Sequence, residues 1–222
     1  LLTVVPTPIG NLQDITLRAL EALRAADVVA AEDTRHSGIL LHHHGISKPM
    51  VSLHEHNEAS RTAELVEQIA QGRQVALITD AGMPGISDPG FRLIRACRER
   101  HLPVTVLPGP SAVPTALVGS GFPTDAFYFG GFLPVKSGRR QAELERAAAR
   151  EETSVYFESP HRLLKSLEVL AALAPDLSVC VARELTKKFE EFRRGKPAEL
   201  AEHYRQHPPR GEITLVISSR VS

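Results

Sequence analysis

The chain has 222 residues, 42% of them hydrophobic, with 26 Lys and Arg balanced by 26 Asp and Glu. That length and apolar content exclude a disordered chain and suit one large domain or two small ones, while zero net charge excludes the strong overall positive field of a general nucleic-acid binder. No apolar run approaches the roughly 18 residues of a membrane span, and the start at Leu1 lacks the charged and apolar regions of a signal peptide, so a soluble, cytoplasmic protein is expected.

Short β-rich apolar runs are predicted at Leu2 to Val5, Val28 to Ala31, Met50 to Leu53, Val75 to Thr79 and Val104 to Leu107. Between them lie helical patterns over Thr16 to Ala25, Thr34 to His43, Asn57 to Ala70 and Phe91 to Arg100. In the third, Ala59, Ala63, Val66 and Ala70 form the expected apolar stripe. This α/β alternation predicts a largely parallel sheet covered on both faces.

After a Gly/Pro-rich stretch from Gly119 to Pro123 the alternation resumes. Strands are predicted near Phe127 to Gly130, Ser154 to Phe157, Ser178 to Ala182 and Ile213 to Ser218, with helices over Gly138 to Arg150, His161 to Leu173 and Pro197 to His207. The last begins with Pro, as first helical turns favour. The expected organisation is therefore two α/β domains, residues 1–118 and 119–222. Cys97 and Cys180 sit alone in apolar segments and are expected to be buried free thiols.

Chemistry concentrates in the turns that follow strands. Asp80-Ala81-Gly82-Met83-Pro84-Gly85-Ile86-Ser87-Asp88-Pro89-Gly90 joins an apolar strand to a helix, at the strand end where open α/β sheets bind ligands. Its glycines permit positive φ and close approach to a ligand. Ser87 and Asp88 are suited to cap the next helix, with Pro89 in its first turn. The loop fits neither the P-loop nor the Gly-x-Gly-x-x-Gly pattern, which disfavours NTPs and NAD. Leu107-Pro108-Gly109-Pro110-Ser111-Ala112 forms a second strand-end turn and Pro6-Thr7-Pro8-Ile9-Gly10-Asn11-Leu12 a third. Together they suggest one shared pocket, although each alone reads as an ordinary connection.

These segments, together with Glu32-Asp33-Thr34-Arg35 and Ala182-Arg183-Glu184-Leu185-Thr186-Lys187, closely resemble the ordered signature blocks of the rRNA small subunit methyltransferase I family of the tetrapyrrole-methylase superfamily. Met83 departs from the usual Thr. The resemblance implies two αβα domains of the tetrapyrrole-methylase type, with S-adenosylmethionine in the cleft between them. It places Pro8, Gly82, Gly85, Ser111 and Ala112 against the cofactor, with Phe157, Ala182 and Thr214 as candidates from the C-terminal half. It further implies a homodimer acting on a cytidine ribose 2′-hydroxyl of small-subunit ribosomal RNA, within an assembled subunit.

Removing a proton from a ribose hydroxyl calls for a general base or a nearby cation. Glu32 is the candidate base, and Arg35 and Lys187 are candidates for RNA phosphate contact or hydroxyl activation, an N-cap or surface ion pair being the plainer reading of each. Lys136, Arg139, Arg140, Lys187, Lys188, Arg193, Arg194 and Lys196 could follow an RNA backbone or simply form a solvated face, and Phe189 and Phe192 could stack on bases or pack. His42, His43 and His44 precede Gly45 and suit a helix end better than a metal site, so no metal is expected. A tetrapyrrole methylase and a non-catalytic cofactor-binding assembly module are the competing readings.

Overall fold

The computed structural model describes residues 1–220 and divides into two compact units, Leu1–Ser111 and Ala112–Ser222. In the first, β1 (Leu2–Val4), α1 (Leu17–Ala25), β2 (Val28–Ala31), α2 (Thr34–His43), β3 (Met50–Ser52), α3 (Glu58–Ala70), β4 (Val75–Ile78), α4 (Phe91–Glu99) and β5 (Val104–Val106) alternate as expected. The strands form one parallel sheet in the order β3-β2-β4-β1-β5. Alternate strand residues feed two cores. Val28, Ala30, Val75 and Leu77 pack with Leu65, Val66 and Ile69 of α3 and Leu93 of α4, while Val29, Ala31, Ala76 and Ile78 pack with Leu23 of α1 and Leu41 of α2.

Two local expectations are corrected here. On α3 the buried residues are Glu58, Leu65, Val66 and Ile69, while Ala59, Ala63 and Ala70 are exposed. Leu65 and Ile69 remove more apolar surface from water than alanines and so take the sheet-facing side. The start of α4 is not capped by Ser87 or Asp88, and Pro89 lies outside the helix. Gly90 is the N-cap, at φ 120°, with no side-chain cap of its own. The buried Glu58 carboxylate reaches across from α3 instead, and its Oε1 accepts from the N–H groups of Gly90 (2.9 Å) and Arg92 (3.1 Å). A side chain at Gly90 would place its Cβ 2.8 Å from Leu77 Cδ2, so glycine is required by close approach as well as by φ.

The second unit comprises α5 (Ala112–Ser120), β6 (Phe127–Phe132), α6 (Ser137–Ala149), β7 (Thr153–Glu158), α7 (Pro160–Leu173), β8 (Ser178–Arg183), β9 (Glu191–Gly195), α8 (Pro197–Gln206) and β10 (Ile213–Ser218). The boundary falls before the expected 118/119 because α5, with Val113, Ala116 and Leu117 buried, packs on β8 and β10. The sheet runs β6-β7-β10-β8-β9 and is mixed: β6 and β7 are parallel, and the other pairs are antiparallel. Tyr156, Val181, Ile213 and Leu215 face a core shared with Leu163 and Leu167 of α7 and Leu200 and Tyr204 of α8. Cys97 and Cys180 are buried free thiols. Among the described residues no helix is long and apolar enough to cross a membrane.

Candidate active site

In the first unit three strand-end loops meet. Thr7 and Gly82 exchange backbone hydrogen bonds of 2.9 and 3.0 Å, and Thr7 Oγ1 donates to the Thr79 carbonyl at 3.0 Å. Gly82 has φ 80°, and a Cβ there would lie 3.5 Å from Ile9 Cγ2 and 3.9 Å from the Pro110 carbonyl oxygen. Behind it, a Cβ on Gly109 would come within 2.9 Å of Pro6 Cβ. The close approach of the first and third loops at Gly109 is one that glycine alone allows, while at Gly82 the neighbouring loops stand at ordinary van der Waals distance. Pro8 is buried in the first loop, and half-buried Ser111 ends the third, directly before Ala112 opens α5. Gly85 differs from Gly82. Its absent side chain would face Ile94 Cδ1 at 3.6 Å and Phe91 N at 3.8 Å, so this glycine shapes the approach to α4.

A group of carboxylates flanks the glycine loop at the ends of β2 and β4. Glu32 Oε2 accepts from Asp80 N–H at 3.3 Å, and Asp80 Oδ1 accepts from Asp33 N–H at 3.1 Å, which latches the two strand ends together. Burial pushes the Glu32 carboxyl above its ordinary range; the Asp80 N–H pulls the other way, and the charges of Asp80 and Asp33 add to the rise. Asp88, expected as a helix cap, instead belongs to this group. Burial, then the like charges of Glu32 and Asp80, push it up to about 7. The folded protein therefore holds a proton on Asp88 that the unfolded chain has lost, and stability falls as pH rises between Asp88's ordinary value of 3.8 and about 7. Asp88→Asn should raise the melting temperature at about pH 8 and change it little near pH 4. Equal shifts at both pH values in a thermal melt would remove Asp88 from the group.

Arg35 does not join the carboxylates. Its guanidinium lies on Asp33, Nη2 to Oδ2 at 2.8 Å, with 90% of the side chain exposed, and Asp33 caps α2 by accepting from Arg35 N–H. The hydrogen bonds from Arg35 hold the Asp33 carboxyl well below the usual carboxylate range.

In the second unit the three candidates share one row. Thr214 pairs with Phe157 on one side and Ala182 on the other, and the row continues to Phe132 and Phe192. Residues paired in this way present side chains on one face, here the face opposite the α7–α8 core. Phe157 packs against the rings of Phe129 (5.1 Å) and Phe132 (5.2 Å). Phe192 is not a free stacking surface, since its ring fills the space a Cβ on Gly119 would need. Lys187 is held between Glu184 Oε1 (2.9 Å) and Glu212 Oε2 (2.7 Å). Glu184 and Thr186 in the same turn take positive φ of 52° and 65°. That strained turn is closed by ion pairing, so Lys187's charge is matched within its own unit.

Sequence reasoning placed Asp80 and Ile9 in the candidate loops without a role of their own and missed Glu58, because these roles arise from contacts between segments distant in the chain. Among the described residues no group of three or more His, Cys, Asp or Glu is arranged to hold a metal ion.

The family profile described as tetrapyrrole (corrin/porphyrin) methylases matches residues 1–201. The chain is 48% identical to the ribosomal RNA small subunit methyltransferase I of Haemophilus influenzae, over 99% of this chain and 79% of that protein. It is 44% identical to the Thermotoga maritima protein of the same name, over 99% of this chain and 98% of that one. Among solved structures, diphthine synthase superposes with a TM-score of 0.75 at 18% identity, covering 100% of this chain and 91% of its own. Uroporphyrin-III-C-methyltransferase from Thermus thermophilus gives 0.67 at 22% identity, covering 97% and 93%. At those identities the two structures establish the fold alone. With the loop junction, the mixed second sheet and full-length relatives at nearly half identity, the chain belongs to the ribosomal RNA small subunit methyltransferase I family of the tetrapyrrole methylases.

Proposed function

We propose that this chain methylates small-subunit ribosomal RNA from S-adenosylmethionine, at the ribose 2′-hydroxyl of a cytidine. The observation that carries the reading is the near-half identity to relatives named for that RNA over almost the entire chain. The Gly82 junction suits a ligand held by backbone and apolar walls, because three strand-end loops meet there through backbone hydrogen bonds and the buried Ile9. S-adenosylmethionine supplies an activated methyl group. Pro8, Gly82, Ser111 and Ala112 would hold it from the strand-end loops, with Gly85 setting the loop's course, and Phe157, Ala182 and Thr214 would contribute from their shared row. Glu32 would take the hydroxyl proton, its raised pKa making it a stronger base than an ordinary carboxylate. Arg35 and Lys187 would orient the substrate. Each is already matched by carboxylates, so their contribution is position more than added charge.

By the same family reading the protein works as a cytoplasmic homodimer on assembled small subunits. A transfer assay with methyl-labelled cofactor tests the proposal, offering subunits from cells lacking the modification beside a tetrapyrrole substrate. Label in the RNA at a ribose is expected. Label in the tetrapyrrole alone would replace this reading, and label in neither would reduce the chain to a binding module.

A further inference from the structure

Eight cations of the C-terminal half are candidate RNA contacts by sequence, and the fold sorts them. Lys187 lies between two carboxylates, Arg193 Nε donates to Glu191 at 2.7 Å, Lys196 donates to the Asp176 carbonyl, and Arg194 stacks on Phe122 at 4.8 Å. Lys136, Arg139 and Lys188 are exposed and carry no side-chain hydrogen bond or ion pair among the described residues. Two of these three stand together at the start of α6. That helix is 13 residues long and its N-cap, Lys136, makes no side-chain cap hydrogen bond.

A second observation at the same place involves Arg140, which is only 6% exposed. Its Nη1 donates to the Pro134 (3.3 Å) and Val135 (3.0 Å) carbonyls, its Nε is buried without a partner, and no carboxylate lies within ion-pair distance among the described residues. A buried guanidinium balanced only by carbonyls leaves its charge uncompensated, at a cost that an anion beside it would offset. The positive end of the α6 dipole and the first-turn N–H groups add to the same field. Next to it, Phe132 and Val135 are 61% and 74% exposed.

We propose that the segment Phe132–Arg140 is an RNA phosphate-binding site: Lys136 and Arg139 contact phosphates, Arg140 and the α6 N-terminus supply a fixed positive field, and Phe132 offers a base a stacking surface. The proposal rests on RNA being the substrate. Arg140 also explains why the site is preformed, since its two hydrogen bonds fix the carbonyls of the turn that carries Val135 and Lys136.

The test is binding of a single-stranded small-subunit rRNA oligonucleotide across a range of potassium chloride concentrations. Each phosphate contact on single strands contributes about 0.7 to the slope of log affinity against log salt, so Lys136→Ala with Arg139→Ala should flatten the slope by about 1.4. Arg193→Ala with Lys196→Ala, whose cations are internally engaged, should leave the slope within about 0.3 of the unmodified protein's. Phe132→Ala should weaken binding about 5- to 100-fold with the slope unchanged, as a stacking loss requires. Cofactor affinity in calorimetry should be constant in both cation variants. A steep slope in the unmodified protein that persists in the Lys136/Arg139 variant overturns this proposal alone, and so does flattening confined to the Arg193/Lys196 variant. A negligible slope in the unmodified protein also overturns this site, while label transfer to the RNA of assembled subunits decides the RNA substrate separately.

Discussion

Gly82→Val is expected to abolish measurable binding of S-adenosylmethionine while the protein still folds. Two effects combine at this position. Gly82 sits at φ 80°, where an L-residue costs roughly 1–2 kcal/mol, and more for a β-branched side chain. The new Cβ would stand at van der Waals distance from Ile9 and Pro110, so the two branching methyls must extend into the junction where the three loops meet. An affinity loss of about 100-fold or more follows if that junction holds the cofactor, or roughly 2.7 kcal/mol. Gly72→Ala separates the effects, because Gly72 has φ 92° with nothing within 4 Å of its would-be Cβ. That variant should lose stability from strain alone and bind cofactor normally. Calorimetric titration of Gly82→Val at unmodified affinity would remove the loop junction from the site, and equal binding losses in both variants would assign the effect to global strain.

Glu32→Gln is expected to lower kcat by about 10²- to 10⁴-fold, the range of a positioned general base, with cofactor affinity unchanged. The amide keeps an oxygen for the Asp80 N–H, so the latch between β2 and β4 survives and only the proton acceptor is lost. The pH dependence carries a second signature. Burial and neighbouring carboxylates raise the Glu32 pKa, so the basic form fills only above the usual carboxylate range, and activity should climb with pH along a limb displaced upward from about 4.3. Asp80→Asn removes one of the like charges that raise Glu32 and should move that limb toward lower pH. Full kcat in Glu32→Gln, or a limb unmoved by Asp80→Asn, would place the base elsewhere.

The strands were legible because each is an apolar run bounded by turns, and Val28–Ala31 and Val75–Ile78 are buried on both faces. β9 escaped the pattern because Glu-Phe-Arg-Arg-Gly has no such run. It is an edge strand whose Glu191 serves Arg183 and Arg193, and its partner is chosen by ladder pairing with β8. The loops were legible as ligand candidates from glycine spacing after strands. What spacing could not distinguish was Gly82, which faces Ile9 and Pro110 of the two other loops, from Gly85, which faces α4. Nor could it separate paired from unpaired cations: Lys136 and Lys187 look alike in sequence, and only the fold brings Glu184 and Glu212 to the second. Asp88 looked like a cap because Asp often is one; the cap came from Glu58, a residue local reasoning assigns to its own helix.

That borrowed cap constrains how the chain can be recombined. The start of α4 is completed by a carboxylate 32 positions earlier than the N–H it receives, so residues 58 and 90 form one unit of inheritance although α3, β4 and the glycine loop lie between them. A chimera with a crossover in that interval keeps its helix start only when the upstream parent supplies an acid at position 58 and the downstream parent supplies glycine at position 90. A mismatched junction forfeits about 1 kcal/mol of capping and leaves a buried carboxylate without its donors. Segment exchange within this family is therefore best made outside the 58–90 interval, so that the glycine loop travels with the acid that anchors its far end.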